Sequence, residues 1–218
     1  MRQNRCISTV ILIILLAAST SCQALNKRAP LSSDLVIASP DIYESLSDKN
    51  LAVTYQKNLL NIYRAIRSHY KPRQLEFFLI SGICFRALQI KSTYDTYLFI
   101  NTKISQNFND NKTTFEERAT TIFTDYTKHL LTLAAQEKEL LQDTALAGIM
   151  INTRWKTERT LKEDYRTISF EEITLVAQKE QVDNYLRATI TDQELLDQST
   201  IIALREGNDP QIVELRLD

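Results

Sequence analysis

The residues of this chain that could do chemistry are few and widely spaced. His69 and His129 are its only histidines, and Cys84 is the one cysteine beyond the first 22 residues. A di-iron helical site uses Glu-x-x-His on an inward face, whereas here Ile66 and Tyr126 stand three residues before the two histidines. Two distant histidines with one body cysteine do not make an ordinary zinc set, so no metal is expected. His129 is expected at the edge of a packed helix face instead. Cys84 lies between Ile83 and Phe85, an apolar setting that raises a thiol pKa and leaves it inert. No Gly-x-Ser-x-Gly elbow occurs. The pairs Glu116-Glu117 and Glu171-Glu172 read as first helical turns, where negative charge complements the macrodipole. No catalytic residue and no cofactor is assigned, and the chain reads as a non-enzyme.

Contact chemistry is better represented. Arg64, Arg67, His69, Lys71 and Arg73 cluster with Tyr63 and Tyr70 interleaved. Arg64, Arg67, Lys71 and Arg73 suit an anionic surface such as lipid head groups, and the same charges also complement a helix C-terminus. The run from Arg154 to Lys162 is mixed with Glu158 and Glu163, as on a solvated face. Trp155, the only tryptophan, is a residue type that anchors interfaces or fills a core edge. After Pro210 the tail alternates Val213, Leu215 and Leu217 with charged residues, which suits a strand added to a partner or a tail packed on its own domain.

The first 22 residues carry an address. Arg2 and Arg5 precede nine unbroken apolar residues, Val10 to Ala18, then Ser19, Thr20, Ser21 and Cys22. Positive, apolar and small in that order is the layout of a secretory signal, and nine residues are too few for a bilayer core that needs about 20. Thr20-Ser21-Cys22 resembles the lipobox of bacterial lipoproteins, with Ser19 where that family carries an aliphatic residue. The resemblance covers the signal alone. It implies lipidation at Cys22, contact with a membrane through that lipid and, with Gln23 rather than Asp next, an outer-membrane protein facing the periplasm or cell surface. Cleavage after Ser21 or Ala24 would give a soluble secreted protein. Lys27-Arg28 and the sequon Asn111-Lys112-Thr113 fit that second setting.

The elements that would position these residues read as helices. Residues 1–21 are assigned to the signal, 22–46 to a flexible tether, 47–207 to a helical domain and 208–218 to an extended tail. Ala52, Tyr55, Leu59, Ile62 and Ile66 share one helical face over 48–69. Residues 72–91 are apolar nearly all round and read as a central helix. A third helix is expected from Ser92 through Phe108. A fourth starts at the capping box Thr114/Glu117 and runs to about Gln142 or on through Trp155. Further starts follow at Ser169/Glu172 and Thr191/Glu194, with Gly207 as a terminal cap. Gly82 and Gly148 are expected at tight helix–helix contacts. The fold class that follows is all-α, a single-domain bundle of six or seven helices.

Composition supports exclusions more than identity. Three glycines and four prolines in 218 residues disfavour barrels, sandwiches, Rossmann-type folds and Gly-built phosphate loops. A net charge of −1, more negative once Arg2 and Arg5 leave, suggests no nucleic-acid partner. The expected function is a lipid-anchored envelope component that binds an unidentified protein partner. The alternative is a secreted helical ligand or effector that binds a receptor.

Overall fold

The computed structural model describes residues 32–71, 74–90, 93–160, 166–205 and 208–217. The signal with Cys22, Lys27-Arg28, Arg73 and Gly207 lie outside them. Among the described residues no helix is long and apolar enough to cross a membrane.

The all-α expectation, with its helical bundle, is overturned. The chain is α/β and built on a seven-stranded mixed sheet. A short helix α1 (Ser33–Val36) and a 3-10 turn (Pro40–Ile42) lead to α2 (Leu46–Thr54) and α3 (Gln56–His69). Strands β1 (Leu75–Phe77), β2 (Ile83–Ile90) and β3 (Thr93–Asn109) follow. Then come α4 (Phe115–Ile122), a π-helical turn (Phe123–Thr127), α5 (Lys128–Ala134) and α6 (Lys138–Gln142). Strands β4 (Leu146–Thr160) and β5 (Arg166–Gln178) precede α7 (Lys179–Leu186) and α8 (Asp192–Gln198), and β6 (Thr200–Arg205) and β7 (Gln211–Val213) close the sheet.

Strand order follows chain order. β1 and β2 lie end to end along the outer side of β3, with Phe77 opposite Thr102 and Ile83 opposite Ile100. β3 and β4 are parallel, Phe99 beside Met150 and Ile100 beside Ile151, and all other pairings are antiparallel. The parallel pair requires a crossover, which α4 to α6 supply.

The physical reason for the misread is burial on both faces. A strand covered on both sides loses its polar–apolar alternation and reads like a buried helix. Leu98, Ile100 and Ile104 of β3 face the main core, while Tyr97 and Phe99 join a second cluster on the opposite side. Within the supposed helix 72–91 the described residues form β1, a loop and β2, and those of the supposed third helix lie in β3. Ser169 and Glu172 cap nothing: both sit in β5, where Ser169 Oγ pairs with Thr157 Oγ1 at 2.6 Å. The boxes at Thr114/Glu117 and Thr191/Glu194 do form, and the stripe Ala52, Tyr55, Leu59, Ile62 and Ile66 is buried. Gly82 and Gly148 are tightly packed, but within the sheet region. A Cβ on Gly148 would meet the Ala177 carbonyl of β5, and one on Gly82 would meet the Phe78 carbonyl and Val36.

All helices that contribute buried apolar residues do so to the cluster on one face. That face carries a buried ionic network. Arg118 of α4 grips Glu171 of β5 with two bonds, Nε to Oε2 at 2.8 Å and Nη2 to Oε1 at 2.7 Å. Trp155 of β4 donates its indole N–H to the same carboxylate at 2.9 Å. Asp110 lies 2.9 Å from the guanidinium, which also donates to the Thr113 carbonyl. Helix and two strands are thereby joined through one charge pair. Removing one partner strands the other charge in the core.

Glu171→Ala is therefore expected to cost about 3–5 kcal/mol of unfolding free energy in urea. Arg118→Met with Glu171→Leu together should cost markedly less, and equal losses would contradict the buried-charge account. Burial also pushes the Cys84 thiol up to about 12, so it stays protonated at pH 8. Iodoacetamide should label Cys84 only after denaturation, and native labelling at the denatured rate would refute this.

Candidate functional site

The sheet face opposite the helices holds the second apolar cluster: Cys84, Leu88, Tyr97, Phe99, Met150, Val176 and Ile202. From outside the sheet, the described apolar side chains that join it are Ala38 and Tyr43, from the segment that borders β2. Ile212 of β7, in register with Ile202, extends the row and is 68 % exposed. Alternation along each strand creates this face: residues between those that enter the main core point here.

Beside the apolar row lies a polar square. Asn101 and Lys103 of β3 stand in register with Asn152 and Arg154 of β4. Thr174 of β5 donates to Asn152 Oδ1 at 2.8 Å, and Asn152 Nδ2 donates to Asn101 Oδ1 at 2.8 Å and to Glu172 Oε2 at 3.4 Å. The chain of donors ends at Asn101, which is only 7 % exposed and whose Oδ1 accepts from Asn152; among the described residues Ser199 Oγ alone is a buried polar side-chain atom without a partner. Lys103 and Arg154 are like charges in adjacent register positions, a repulsive arrangement in a sheet. Each rests on the Phe170 ring, with the ammonium 5.1 Å and the guanidinium 4.7 Å from its centroid. Neither cation has a carboxylate within ion-pair distance among the described residues, although Glu76 and Glu172 continue their row on either side. Asn101, Lys103 and Arg154 thus bring three donor-bearing side chains together on this face, beside the apolar row.

A strained turn abuts this square. The loop between β1 and β2 crosses Asn101, whose carbonyl accepts from Phe78 N–H at 3.2 Å and whose N–H donates to Gly82 O at 2.8 Å. Within it Ile80 holds φ of 67°, in the left-handed region that a β-branched residue disfavours, while its N–H donates to Leu35 O at 2.7 Å. Its side chain is 60 % exposed, so little packing repays that strain.

The residues singled out from the sequence fall elsewhere. Arg64, Arg67 and Lys71 gather at the C-terminal end of α3, with the Arg67 guanidinium over Tyr63 and Phe77 at 5.8 and 5.6 Å. Trp155 is fully buried in β4 against Phe115, at 5.9 Å between ring centroids. Val213 lies in β7 and pairs with β6 of its own sheet, Leu215 is buried, and the Leu217 N–H donates to Gln193 at 2.8 Å. Trp155 and Leu215 belong to the same main core cluster, with Val213 and Leu217 packed against it, so these residues are taken up by the chain's own core. Asn101, Lys103, Arg154 and Phe170 were missed because two-residue periodicity, the signal that unites them, was hidden by strands apolar on both sides.

A cleft of about 490 Å³ on the helical side is lined by Thr132, Gln136, Lys138, Leu141, Lys179 and Arg187. Asp183 is its one lining carboxylate among the cations Lys138, Lys179 and Arg187. Comparison with known proteins finds no matching family model, no matching curated protein and no matching solved structure.

Ile80→Asn is expected to raise stability by about 1 kcal/mol in urea, because Asn tolerates the left-handed region and Ile80 buries little. A loss of stability instead would show that the exposed isoleucine is held by packing.

Proposed function

We propose that this chain is an exported, lipid-anchored component of a bacterial cell envelope that works by binding a partner protein rather than by catalysis. Its lipid would be carried by Cys22, which follows the secretory layout of the first 21 residues. The binding surface is the sheet face opposite the helices. One observation carries this reading: two cations with no ion pair among the described residues, Lys103 and Arg154, stand with Asn101 beside the apolar row Phe99, Met150, Val176 and Ile202. The partner that fits is a protein segment bearing an Asp or Glu carboxylate next to apolar side chains. Small-molecule sites are normally concave, whereas this surface is the face of a sheet. Tethering by the lipid raises the local concentration of the domain near such a partner.

Two measurements on the native host test this. Intact-mass analysis is expected to show a mature chain starting at an acylated Cys22, whereas an unmodified N-terminus there or at Leu25 favours the secreted ligand. A photocrosslinking side chain at Lys103 or Ile212 is expected to yield one protein adduct that is absent from a control at Lys57. Arg154→Glu should reduce that adduct about tenfold or more, as charge reversal at an interface does. Equal adducts from Lys57, or no effect of Arg154→Glu, would overturn the assignment of this face.

A further inference from the structure

The only two histidines of the chain meet. The ring centroids of His69 and His129 lie 5.8 Å apart, with 34° between their planes, and both side chains are exposed. They come from different elements: His69 ends α3, and His129 stands in the first turn of α5. Their approach is built rather than incidental. Tyr70, next to His69 and 8 % exposed, directs its hydroxyl at the Asp125 and Tyr126 carbonyls, 3.4 and 3.5 Å away. Its ring also stacks on Tyr126, with 5.6 Å between centroids. Both carbonyls belong to the π-helical turn Phe123–Thr127. A π turn inserts a residue and rotates the helix that follows, a device often found at functional sites. Here it sets the direction in which His129 leaves α5. His69 packs edge-on against Tyr70 at 4.7 Å, which limits its ring from the other side.

We infer that His69 and His129 form a two-imidazole site for a late first-row divalent metal: Cu²⁺, Ni²⁺ or Zn²⁺. Two imidazoles on one ion, each at about 2.0–2.1 Å, place their ring centres about 4.5 Å apart at a right angle, about 5.2 Å at the tetrahedral angle and about 6.4 Å in trans, a range that brackets the separation of this pair. Imidazole nitrogen suits these three ions, whereas Mg²⁺, Ca²⁺ and Mn²⁺ prefer oxygen. The charged surroundings permit a cation. Lys128 adjoins the pair, but its ammonium is held 2.7 Å from Asp192, and Asp125 adds a carboxylate one turn before His129. Among the described residues no set of three or more His, Cys, Asp or Glu is placed to hold an ion. The metal therefore keeps positions for water or for a ligand from another molecule. This site is independent of the sheet face and of the partner proposed for it.

The test is calorimetric titration of the full mature chain, without a polyhistidine tag, with Cu²⁺, Ni²⁺, Zn²⁺ and Mg²⁺ at pH 7. One equivalent of each of the first three is expected, Cu²⁺ tightest by the Irving–Williams order, with no uptake of Mg²⁺. The Cu²⁺ complex should show hyperfine coupling to two imidazole nitrogens in its electron paramagnetic resonance spectrum. His69→Ala and His129→Ala should each weaken Ni²⁺ and Zn²⁺ binding about tenfold or more. Both histidines are exposed, so circular dichroism should report an unchanged fold in either variant. Failure of the wild-type chain to take up any of the three ions, or equal uptake by the double variant, would overturn the site.

Discussion

The parallel pairing of β3 with β4 is the constraint on which the rest of the molecule depends. Parallel neighbours cannot be joined by a hairpin, so the chain between Asn109 and Leu146 must leave the sheet, cross it and return. It does so as α4, the π turn, α5 and α6, on the side that α2 and α3 also cover. The later connection between β5 and β6, α7 and α8, adds its buried residues to the same cluster. One face of the sheet thus receives every such helix, and the other is left to Ala38, Tyr43 and its own side chains. The asymmetry that defines the candidate site follows from that arrangement.

The Arg118–Glu171–Trp155 network reinforces the crossover at its start. Burying a guanidinium and a carboxylate is unfavourable unless nearly every hydrogen finds an acceptor. Arg118 meets that condition with Glu171, Asp110 and Thr113, and Trp155 shares the Glu171 carboxylate. Such a pair contributes direction more than energy, since only one placement of α4 over β4 and β5 satisfies all of its bonds. The Asn101–Asn152–Thr174 ladder on the opposite face is built from neutral groups and ends at Asn101.

Helix ends were legible in the sequence and strands were not. Thr114/Glu117 and Thr191/Glu194 are local devices whose chemistry closes within four residues, so they can be read without the fold. Ser169/Glu172 has the same letters, but a capping box only offers bonds, and pairing with β4 and β6 offers more. The residues Tyr94, Tyr97, Leu98, Asn101 and Ile104 satisfy helical spacing, yet in β3 Tyr97 joins one apolar cluster while Leu98 and Ile104 join the other. Their β-branched and aromatic neighbours were the better guide. Scarcity of glycine misled for a related reason: long crossovers replace tight turns, and the sheet needs few of them. The basic residues at the end of α3 were visible because one helix gathers them. The approach of His69 to His129, and of Lys103 to Arg154, depends on pairings between distant segments that no local pattern records.

The long crossover also has a kinetic meaning. Until α4, α5 and α6 have folded back, the 17-residue β3 has its hairpin partners β1 and β2 but lacks β4 along its other edge. Contacts of such wide sequence separation form late, because loop closure must precede the stabilisation they bring. During that interval Tyr97, Phe99, Leu98 and Ile100 offer apolar side chains on both faces of an unfinished strand. Under the proposed export, the chain would pass through this state on the far side of a membrane. The early hairpin is therefore the species on which chaperones, or self-association, would act.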